Sequence, residues 1–576
     1  MATAVSYPGV YIQEIPSGVH TITAVATSIG AFVGRAARGP VNEAVTCLSF
    51  SDFQTNFGGL WNNSNLGFAV NDFFANGGTQ AVVVRLFHDD PGNPTANPPV
   101  PPPATTQTLS VGPLEFVAIS PGTWGVNLRV TIDQNNIPAL VATSLGLATT
   151  DLFNLTVVDT SPGGATEYYA NLTVKDSPYR VDNVLLNNSN LILYDGAIPN
   201  PTPVIQVGQD ALGTLETAYN AAVAALAAAQ AANPSGNVSA QQAAVQTAYT
   251  ALQAGYTSAN AAISDGLWLT TADFLPVSGL TNKQGIYALE QVTIFNLLYI
   301  PPYHNPTDSL DWDTILISAA ATYCEQRRAM LLVDAPKDWT TAPIALAKFN
   351  NTTTDYVGTR SRNAALYFPR LNEVNPLQNN QIQVFGAGGA IAGLYAQTDG
   401  QRGVWKAPAG QSVLFNGISG LSVALTDAEN GTLNPVGINC LRSFPGVGPV
   451  VWGARTLRGG DQFADEYKYI PVRRTALFIE SSLYLGLQWA VFEPNADPLW
   501  AEIRLNVGSF MQTLFRQGAF QGTTAQDAYF VKCDSTTNPQ NLINQGIVTV
   551  VVGFAPLQPA EFVVIQIQQI AGQGAS

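Results

Sequence analysis

A proline-rich stretch near the start of the sequence constrains the fold more than any other feature. Residues 89–106 read DDPGNPTANPPVPPPATT, and this density of proline admits neither a helix nor a central strand. Before the stretch, the apolar spacing within residues 65–87 predicts a helix, a stop at two glycines and then a buried strand. The α/β pattern of residues 20–88 is therefore interrupted by a linker.

Two different kinds of structure are predicted after the linker. Residues 111–205 contain short alternating runs such as LRVTI and FNLTVV, separated by Gly, Pro and Asn, and this pattern predicts an all-β module. Residues 208–263 are rich in alanine and predict two helices, broken at NPSGN (233–237). The α/β alternation resumes after about residue 270. The sequence thus predicts a core in two pieces around two inserted modules, followed by a second compact α+β region at 400–576.

The content of charged residues is low for a chain of this length. The 576 residues predict two to four domains, but only 11% are charged, against about 25% in typical soluble domains. Much of the surface is therefore expected to be covered by other copies of the chain, although a surface rich in Asn, Gln, Thr and Ser also explains part of the deficit. The net charge of −15 argues against a protein that binds nucleic acid or anionic membranes.

The apolar segments predict a protein that is neither secreted through a signal peptide nor inserted directly in a membrane. Residues 1–30 lack the basic start, long apolar run and cleavage site of a signal peptide. The most apolar windows, such as GIVTVVVGF (546–554), have the length of a strand rather than the roughly 18 residues that span a bilayer. Four widely spaced cysteines are expected to be reduced, structural thiols of a cytoplasmic product: Cys47, Cys324, Cys440 and Cys533.

Three features resemble parts of enzyme sites, but each fits a structural role better. GAGGAIAG (386–393) lacks the Lys-Ser/Thr of a phosphate-binding loop and is interpreted as a turn-rich connection. Asp311 and Asp313 precede an apolar helix and suit its N-terminal cap. FHDD (87–90) borders the proline linker without a nucleophile motif, so surface polar residues are the better interpretation.

A metal or cofactor site is not predicted either. The histidines have no metal-ligand spacing to another His or Cys: His20, His88 and His304. We therefore predict a protein that is not an enzyme, with no catalytic residue, no cofactor and no metal.

The two ends of the sequence share an unusual pattern. YPGVYIQEIPSG (7–18) and AEFVVIQIQQI (560–570) each form one short apolar strand set off by prolines. A lone strand leaves its N–H and C=O groups unpaired, so it needs a partner. Either each strand completes the sheet of another copy through main-chain hydrogen bonds, or both fold back onto their own subunit. The residues alone leave the two alternatives even.

Several longer stretches resemble the contractile tail sheath proteins of myophages, R-type tailocins and phage-like contractile injection systems. The opening YPGVYIQEIPSG and AFVGRAARGP (31–40) match the start of that family, and SPGTWGVNLRV (120–130) resembles its inserted β-domain, with Val126 where Asn is expected. The longest matches lie after residue 385: GAIAGLYAQTDGQRGVWKAPAG, LNPVGINCLRSFPGVGPVVWGARTL, YKYIPVRRTALFIESSLYLGLQWAVFEPNADPLW and GFAPLQPAEFVVIQI. The Ala-rich pair of helices has no counterpart in the resemblance.

The resemblance implies a structural subunit of a contractile sheath. Such subunits form stacked hexameric rings around an inner tube, assemble in a metastable extended state, and contract to drive the tube through a target envelope. The implied partners are other copies of the chain, the inner tube protein, and baseplate and terminator or cap proteins. The implied location is a phage tail or phage-like particle assembled in the bacterial cytoplasm. The implied fold is α/β and α+β multidomain, with a sheath core completed by exchanged terminal strands.

The resemblance also assigns roles to the two terminal strands and to their flanks. It implies strand exchange with neighbouring subunits by residues of the N-terminal arm (Tyr7, Val10, Ile12 and Ile15) and of the C-terminal arm (Phe562, Val563, Ile565 and Ile567). Because the arms stay paired while the subunits rotate, the flanking residues are candidate hinges: Ser17, Gly18, Pro556 and Pro559.

Charged residues in the last third of the chain have two interpretations. One set could form ion pairs between subunits that switch on contraction, or ordinary pairs within one domain: Arg455, Arg458, Arg473, Arg474, Asp465 and Glu466. In the family a helix of the C-terminal domain contacts the inner tube by charge complementarity. That role maps best onto Arg504 and Arg516, which also suit packing or subunit contacts.

We divide the chain on this basis, and the roles of its insertions stay open. The segments are an N-terminal exchange arm (1–19), a first segment of the sheath core (20–88), a proline-rich linker (89–110), an inserted β-domain (111–207), an Ala-rich helical insertion (208–265), a second segment of the sheath core (266–398), a C-terminal sheath domain (399–555) and a C-terminal exchange arm (556–576). The two insertions either protect and stabilise the tube or act as an adhesin that engages host surfaces.

Overall fold

The structure is a computed structural model that describes residues 20–92, 102–198, 202–234, 236–308, 310–564 and 566. Several predicted functional residues lie outside these described ranges: Tyr7, Val10, Ile12, Ile15, Ser17, Gly18, Ile565 and Ile567. The chain folds into a mixed α/β structure with several sheets and separate hydrophobic cores.

The strands are β1 (Gly30–Gly34), β2 (Ala44–Cys47), β3 (Ala81–Arg85), β4 (Thr108–Val111), β5 (Leu114–Ala118), β6 (Leu128–Asp133), β7 (Leu152–Asp159), β8 (Thr166–Thr173), β9 (Ile192–Tyr194), β10 (Gly208–Gln209), β11 (Leu297–Tyr299), β12 (Met330–Asp334), β13 (Ala364–Phe368), β14 (Leu371–Asn375), β15 (Gln381–Phe385), β16 (Gly420–Leu421), β17 (Ile438–Phe444), β18 (Gly448–Val451), β19 (Tyr529–Lys532) and β20 (Val551–Phe554). The helices are α1 (Phe50–Phe57), α2 (Leu66–Ala75), α3 (Ala139–Ser144), α4 (Val181–Asn188), α5 (Ala211–Ala232), α6 (Ser239–Ala262), α7 (Thr271–Phe274), α8 (Gly279–Asn282), α9 (Thr314–Arg327), α10 (Ala342–Phe349), α11 (Gly388–Arg402), α12 (Asp427–Leu433), α13 (Ile470–Gly486), α14 (Asp497–Arg516), α15 (Ala525–Ala528) and α16 (Gln540–Asn544).

An eight-stranded sheet in the order β18-β17-β13-β12-β11-β1-β3-β2 forms the core. Strand β1 lies parallel to both β3 and β11, so that Gly30 pairs with Leu297 although the two residues are far apart in sequence. Alternate residues of β1 enter two separate buried clusters, Ala31 on one face and Phe32 on the other. Strands from before the proline linker and from after residue 270 therefore lie side by side in one sheet.

The boundary of the C-terminal region differs from the sequence prediction. Residues 400–576 were expected to form one separate compact region, but β17 and β18 belong to the eight-stranded sheet. Ile438 and Cys440 of β17 are fully buried beside β13. A short apolar strand is compatible with either sheet, and the sequence pattern does not specify which one it joins.

Residues 108–209 carry two further sheets, β4-β5-β9 and β10-β6-β7-β8, around a hydrophobic cluster of their own. The alternation predicted for this segment is visible in β6 and β7, where apolar residues such as Val130 and Leu155 are buried. The short helices α3 and α4 also lie in this segment, so it is mainly rather than entirely β.

The Ala-rich pair of helices is confirmed as α5 and α6, which run beside each other on either side of the predicted break. Asp210 caps α5 by accepting from the backbone N–H groups of Leu212 and Gly213. At the base of the pair, Arg129 of β6 donates to Glu216 at 2.7 Å and also to the Tyr256 hydroxyl. Both helices are thereby attached to the neighbouring β-sheet.

Candidate assembly site

The last third of the chain builds its own core around helices α13 and α14. Trp500, Val507 and Met511 of α14 are buried together with Phe478 of α13, because apolar residues recur along α14 at helical spacing. Ile22, which follows the undescribed N-terminus, belongs to the same cluster. The first described residues of the chain therefore pack against the C-terminal region of the same subunit.

A small antiparallel sheet made of β19 and β20 packs against this cluster. Tyr529 pairs with Phe554 and Lys532 with Val551, and neither strand has a second neighbouring strand within the described residues. Part of its apolar surface faces solvent, including Phe530, which is 57% exposed. The outer edges of this sheet therefore offer unpaired backbone groups to a further strand.

The C-terminal segment leaves this small sheet and is held at one residue. The Arg455 side chain is 1% exposed and binds both carboxylate oxygens of Glu561, through Nε at 2.8 Å and Nη2 at 2.6 Å. Asp461 accepts from Nη1 of the same arginine at 2.9 Å. Burial disfavours the charge on Arg455, but the hydrogen bonds and charge of Glu561, together with the nearby Asp461 and Tyr469, outweigh burial and raise the arginine's pKa. A bidentate pair of this kind fixes both the position and the orientation of Glu561.

The chain becomes exposed immediately beyond this contact. Phe562, Val563 and Val564 are 77%, 83% and 81% exposed. They form no strand within the described chain, so the predicted strand exchange of Phe562 and Val563 stays a prediction. Three consecutive exposed apolar residues are nevertheless unusual on a soluble surface.

Two proline residues that were predicted to be hinges precede the contact. Pro556 forms an isolated antiparallel bridge with Phe520, and Pro559 lines a groove beside the segment. The Arg455–Glu561 pair lies beyond both prolines, so within this subunit the held stretch of the segment extends past them.

The other charged residues that were singled out have partners within the chain in most cases. Arg474 is buried and binds Asp399 through two bonds of 2.6 and 2.8 Å. Burial disfavours the charge on Arg474, but the charge and hydrogen bonds of Asp399, together with the nearby Tyr395 and Tyr367, outweigh burial and raise the arginine's pKa. Two further ion pairs each have one well-exposed partner: Arg473–Glu480 at 3.1 Å and Arg458–Asp465 at 3.5 Å.

These contacts support the interpretation as pairs within one domain, at least in a single subunit. Glu466 is the exception, since it is exposed and forms no ion pair within the described residues. Ion pairs between subunits remain a prediction for the whole set.

Helix α14 places its two arginines differently. Arg504 donates to the backbone carbonyl of Cys533 and is half-buried. Arg516 lies exposed in the last turn and forms no ion pair with any residue that the structure describes. Contact with an inner tube remains a prediction for both residues, and the geometry leaves Arg516 the more accessible one.

A groove of about 690 Å³ lies between the C-terminal segment and the body of the subunit. Its walls include the indole rings of Trp405 and Trp452, and its cations are Arg402 and Lys406. Neither cation forms an ion pair within the described residues. Burial and then the neighbouring Arg402 charge lower the pKa of Lys406, whose ammonium donates to two backbone carbonyls. The groove therefore combines aromatic walls with uncompensated positive charge.

Sequence reasoning missed several residues of this region. Glu561 is 106 positions from Arg455, and no local pattern links residues at such a distance. Trp405, Lys406 and Trp452 lie in stretches that carry the family resemblance, but their convergence on one groove depends on the tertiary fold. Asp399 lies three residues before Arg402 but binds Arg474 instead, so the sequence itself carries no signal that Arg402 lacks a partner.

The features that resembled enzyme motifs have structural roles, although not always the predicted ones. The glycine cluster at 386–393 was expected to be a turn-rich connection but begins the buried helix α11. A Cβ atom on Gly386 or Gly388 would collide with Asp334 or Tyr299, so close packing requires glycine there.

Asp313 does lie at the N-terminal cap position of α9, but its side chain makes no capping bond. It accepts instead from the hydroxyls of Thr271 and Tyr303. Asp311 forms a buried ion pair with Arg370 at 2.8 Å, so its predicted capping role is wrong.

The histidines and cysteines show no shared site within the described residues. His88 pairs with Asp273 at 2.8 Å, and His20 stacks on Trp489. All four cysteines are buried free thiols, and burial raises the pKa of Cys47 and of Cys440 to about 12. Among the residues that the structure describes, no group of three or more His, Cys, Asp or Glu side chains is placed to hold a metal ion. None of the helices described there is long and apolar enough to cross a membrane.

Comparison with known families finds two adjoining matches. The profile of the phage tail sheath protein central domain matches residues 284–457, and that of the phage tail sheath C-terminal domain matches residues 464–570. The first match includes β17 and β18, in agreement with their place in the large sheet. The second includes α14, the small sheet and the C-terminal segment.

A curated relative and two solved structures are similar to the chain. The tail sheath protein of Vibrio phage KVP40 is 26% identical over 178 residues, which are 31% of this chain and 25% of the phage protein's own length. The contracted helical sheath of the anti-feeding prophage gives a TM-score of 0.52 at 22% identity, covering 98% of this chain and 100% of that one. The contracted sheath complex of PVC, an extracellular contractile injection system, gives 0.51 at 19% identity and covers 99% of both chains. The two structures share the fold over nearly the whole length.

Proposed function

Since this chain belongs to the phage tail sheath family, we propose that it is the repeating subunit of a contractile sheath around an inner tube. The subunits stack as hexameric rings in a metastable extended state, and contraction drives the tube through a target envelope. The particle is a phage tail, a tailocin or a related injection system, assembled in the bacterial cytoplasm. The subunit acts mechanically and not as an enzyme.

The single observation that carries this proposal is the incomplete sheet β19–β20. A two-stranded sheet is marginally stable by itself in water, and each of its strands keeps an open edge within the described residues. The exposed Phe562, Val563 and Val564 follow the sheet after residues 555–561. Strands donated by other copies satisfy both needs at once, because main-chain pairing closes the edges and buries the donated apolar residues.

The exchanged strands are residues 7–15 of the N-terminal arm and residues 562–570 of the C-terminal arm. The anchoring of Glu561 by Arg455 supports this assignment for the C-terminal arm. A strand that pairs with another subunit transmits force to the residues where it leaves its own subunit. A buried bidentate ion pair at that point holds the backbone of Glu561 in place. The exchanged strand begins directly after this anchor, so its reorientation as subunits rotate takes place at the junction of residues 561 and 562.

Contraction is a change between two discrete packings of rigid subunits. The free energy difference between the packings supplies the work, so no nucleotide is required. Hinge residues must absorb the backbone rotation, and the candidates at the N-terminal arm are Ser17 and Gly18. Replacing Gly18 with proline is expected to allow folding but to impair assembly or contraction, and normal contraction would remove this hinge assignment.

The inner tube, the baseplate and the terminator are further proposed partners. The exposed Arg516 at the end of α14 is the residue best placed for charge contact with the tube. A tube that carries acidic residues opposite this helix would be held more weakly by an Arg516→Glu variant. Unchanged co-assembly with the tube would exclude this contact.

Truncation tests the proposal directly. The full chain, expressed alone and examined by negative-stain electron microscopy, is expected to form tubes or stacked rings. Variants lacking residues 1–19 or residues 562–576 are expected to stay folded by circular dichroism but to sediment as monomers. A full chain that remains monomeric would contradict the sheath role. Truncated variants that assemble like the full chain would contradict strand exchange only.

A further inference from the structure

The loop between α13 and α14 presents an apolar tip to solvent. Phe492 is fully exposed at 101%, and its neighbour Val491 is 57% exposed. The backbone of Phe492 is in the left-handed region with φ of 71°, where a bulky residue is strained. A hydrophobic side chain that a strained backbone holds in solvent does not stabilise the isolated subunit.

The loop is fixed rather than loose at its base. Asn495 donates to the carbonyl of Ile547 at 3.0 Å and accepts from the indole N–H of Trp500 at 2.9 Å. These bonds attach the loop to the start of α14. Phe492 is therefore presented in a defined direction, as a binding residue must be to limit the entropy lost on association.

The tip also carries an acidic residue without a partner. Glu493 follows Phe492, is exposed, and forms no ion pair within the described residues. Val491, Phe492 and Glu493 thus form an apolar and acidic tip, which we call the knob. Its chemistry is complementary to the groove described above, where two tryptophans flank the unpaired cations Arg402 and Lys406.

The knob cannot fill the groove of its own subunit. The knob lies before the start of α14, whereas Gln517 and Gly518 in the groove wall follow its end. A helix of 20 residues is about 30 Å long, while the five residues from Phe492 to Asp497 span at most about 18 Å when extended. Asn495 shortens this reach further by holding the loop base.

We infer that the Val491–Glu493 knob of one copy inserts into the Trp405/Trp452 groove of a second copy, with Glu493 meeting Arg402 and Lys406. This inference rests on the proposed function, because it assumes that the chain assembles with itself. Knob and groove are different surfaces, so the contact is head-to-tail. Repetition of a head-to-tail contact generates rings or open helices rather than closed dimers.

Cross-linking in the assembled particle tests the contact. In a Val491→Cys, Gln517→Cys double variant, a short bis-maleimide is expected to produce a ladder of covalent oligomers on denaturing gels. The native cysteines are buried free thiols and do not compete. The matched control is Val491→Cys with Leu505→Cys, which lies exposed at mid-helix on α14 and is expected to give no ladder.

Substitutions give the second readout. Phe492→Ala is expected to raise the protein concentration needed for assembly by at least about tenfold, since buried aromatic anchors dominate interfaces. Leu140→Ala, at an 85% exposed position, is the control and is expected to change nothing. Glu493→Lys is expected to weaken assembly, and the added change Arg402→Glu is expected to restore it in part.

The outcomes separate this inference from the proposed function. Tubes that form without the 491–517 cross-link, and that tolerate Phe492→Ala, would overturn the knob and groove while leaving the sheath role intact. A chain that forms neither tubes nor the cross-linked ladder would overturn both. A ladder together with charge-swap rescue would establish the contact.

Discussion

The large sheet and the small C-terminal sheet differ in how completely one subunit satisfies them. In the eight-stranded sheet the six inner strands each have two neighbours, and side chains on both faces are buried. In the β19–β20 sheet neither strand has a second neighbour within the described residues, and Phe530 remains exposed. The difference shows that one subunit buries its large sheet, whereas it leaves the small sheet with open edges that the proposed strand exchange would close.

A substitution that leaves a cavity in the large sheet should destabilise the subunit far more than a similar substitution in the small sheet. Leu298 of β11 is fully buried, so Leu298→Ala is expected to lower the free energy of unfolding by about 2 to 5 kcal/mol. Val551→Ala on β20, where the side chain is 40% exposed, is expected to cost no more than about 0.5 kcal/mol. Chemical denaturation of the unassembled subunit measures both. Equal losses would contradict the distinction between a complete and an incomplete sheet.

The anchor of the C-terminal segment should show the next largest effect. Glu561→Gln leaves the buried Arg455 without its bidentate partner and is expected to cost about 1.5 to 3 kcal/mol of local stability. Hydrogen exchange should show faster exchange in residues 556–561 while the large sheet stays protected. Arg458→Ala, at a half-exposed pair of 3.5 Å, is the control and is expected to cost no more than about 1 kcal/mol. Unchanged hydrogen exchange in the Glu561→Gln variant would contradict the role of Glu561 as an anchor.

A buried acid pair in the core makes the large sheet sensitive to pH. Burial raises the pKa of Asp72 to about 7; burial and the nearby Asp72 charge raise that of Glu373 to about 9. The folded state therefore holds protons that the unfolded chain releases above about pH 4. This contribution to stability is complete below about pH 4 and falls as the pH rises towards 9, by about 1.4 kcal/mol per pH unit for each acid that is protonated only in the folded state.

Replacing one of the two acids tests this pH dependence. Glu373→Gln removes one titrating group, so unfolding measured from pH 5 to 9 should depend less on pH in the variant than in the wild type. The difference between the two chains cancels the contribution of groups outside the Asp72–Glu373 pair. Parallel curves would show that the pair does not titrate in this range.

Removing most of the Ala-rich hairpin should change the stability of the subunit least. Between Glu216 and Asp265 it contains no charged residue, which suits contact with other copies. Replacing residues 217–255 by a short glycine linker keeps Glu216 and Tyr256 at Arg129. Subunit unfolding is expected to change by no more than about 0.5 kcal/mol, while tubes should dissociate at lower denaturant concentration. Unchanged tubes would favour a role in binding host surfaces.

Local elements of the fold could be predicted from sequence, whereas their assignment to sheets could not. The alanine pattern around NPSGN correctly predicts α5 and α6, because helix propensity acts within a few residues. The strand at Ile438 was equally visible, but its membership of the large sheet depends on contact with β13. That information lies in residues more than 60 positions away along the chain.

The candidate site follows the same division. The apolar alternation at the two ends of the chain can be recognised because it is local, but the strands it predicts and their partners stay predictions. Arg455 was singled out, while Glu561 was not, since only the tertiary fold brings the two together. The strained backbone of Phe492 left no trace in the residue pattern. Function at interfaces depends on such long-range convergence.

The most direct test of the central claim is a helical cryo-electron microscopy reconstruction of the assembled full chain, at a resolution that traces the backbone. Strand exchange predicts that β19 and β20 each gain a neighbouring strand, formed by residues 7–15 or 562–570 of other copies. A small sheet that remains two-stranded in the tube, or that is completed by the termini of its own subunit, would contradict strand exchange as the basis of assembly.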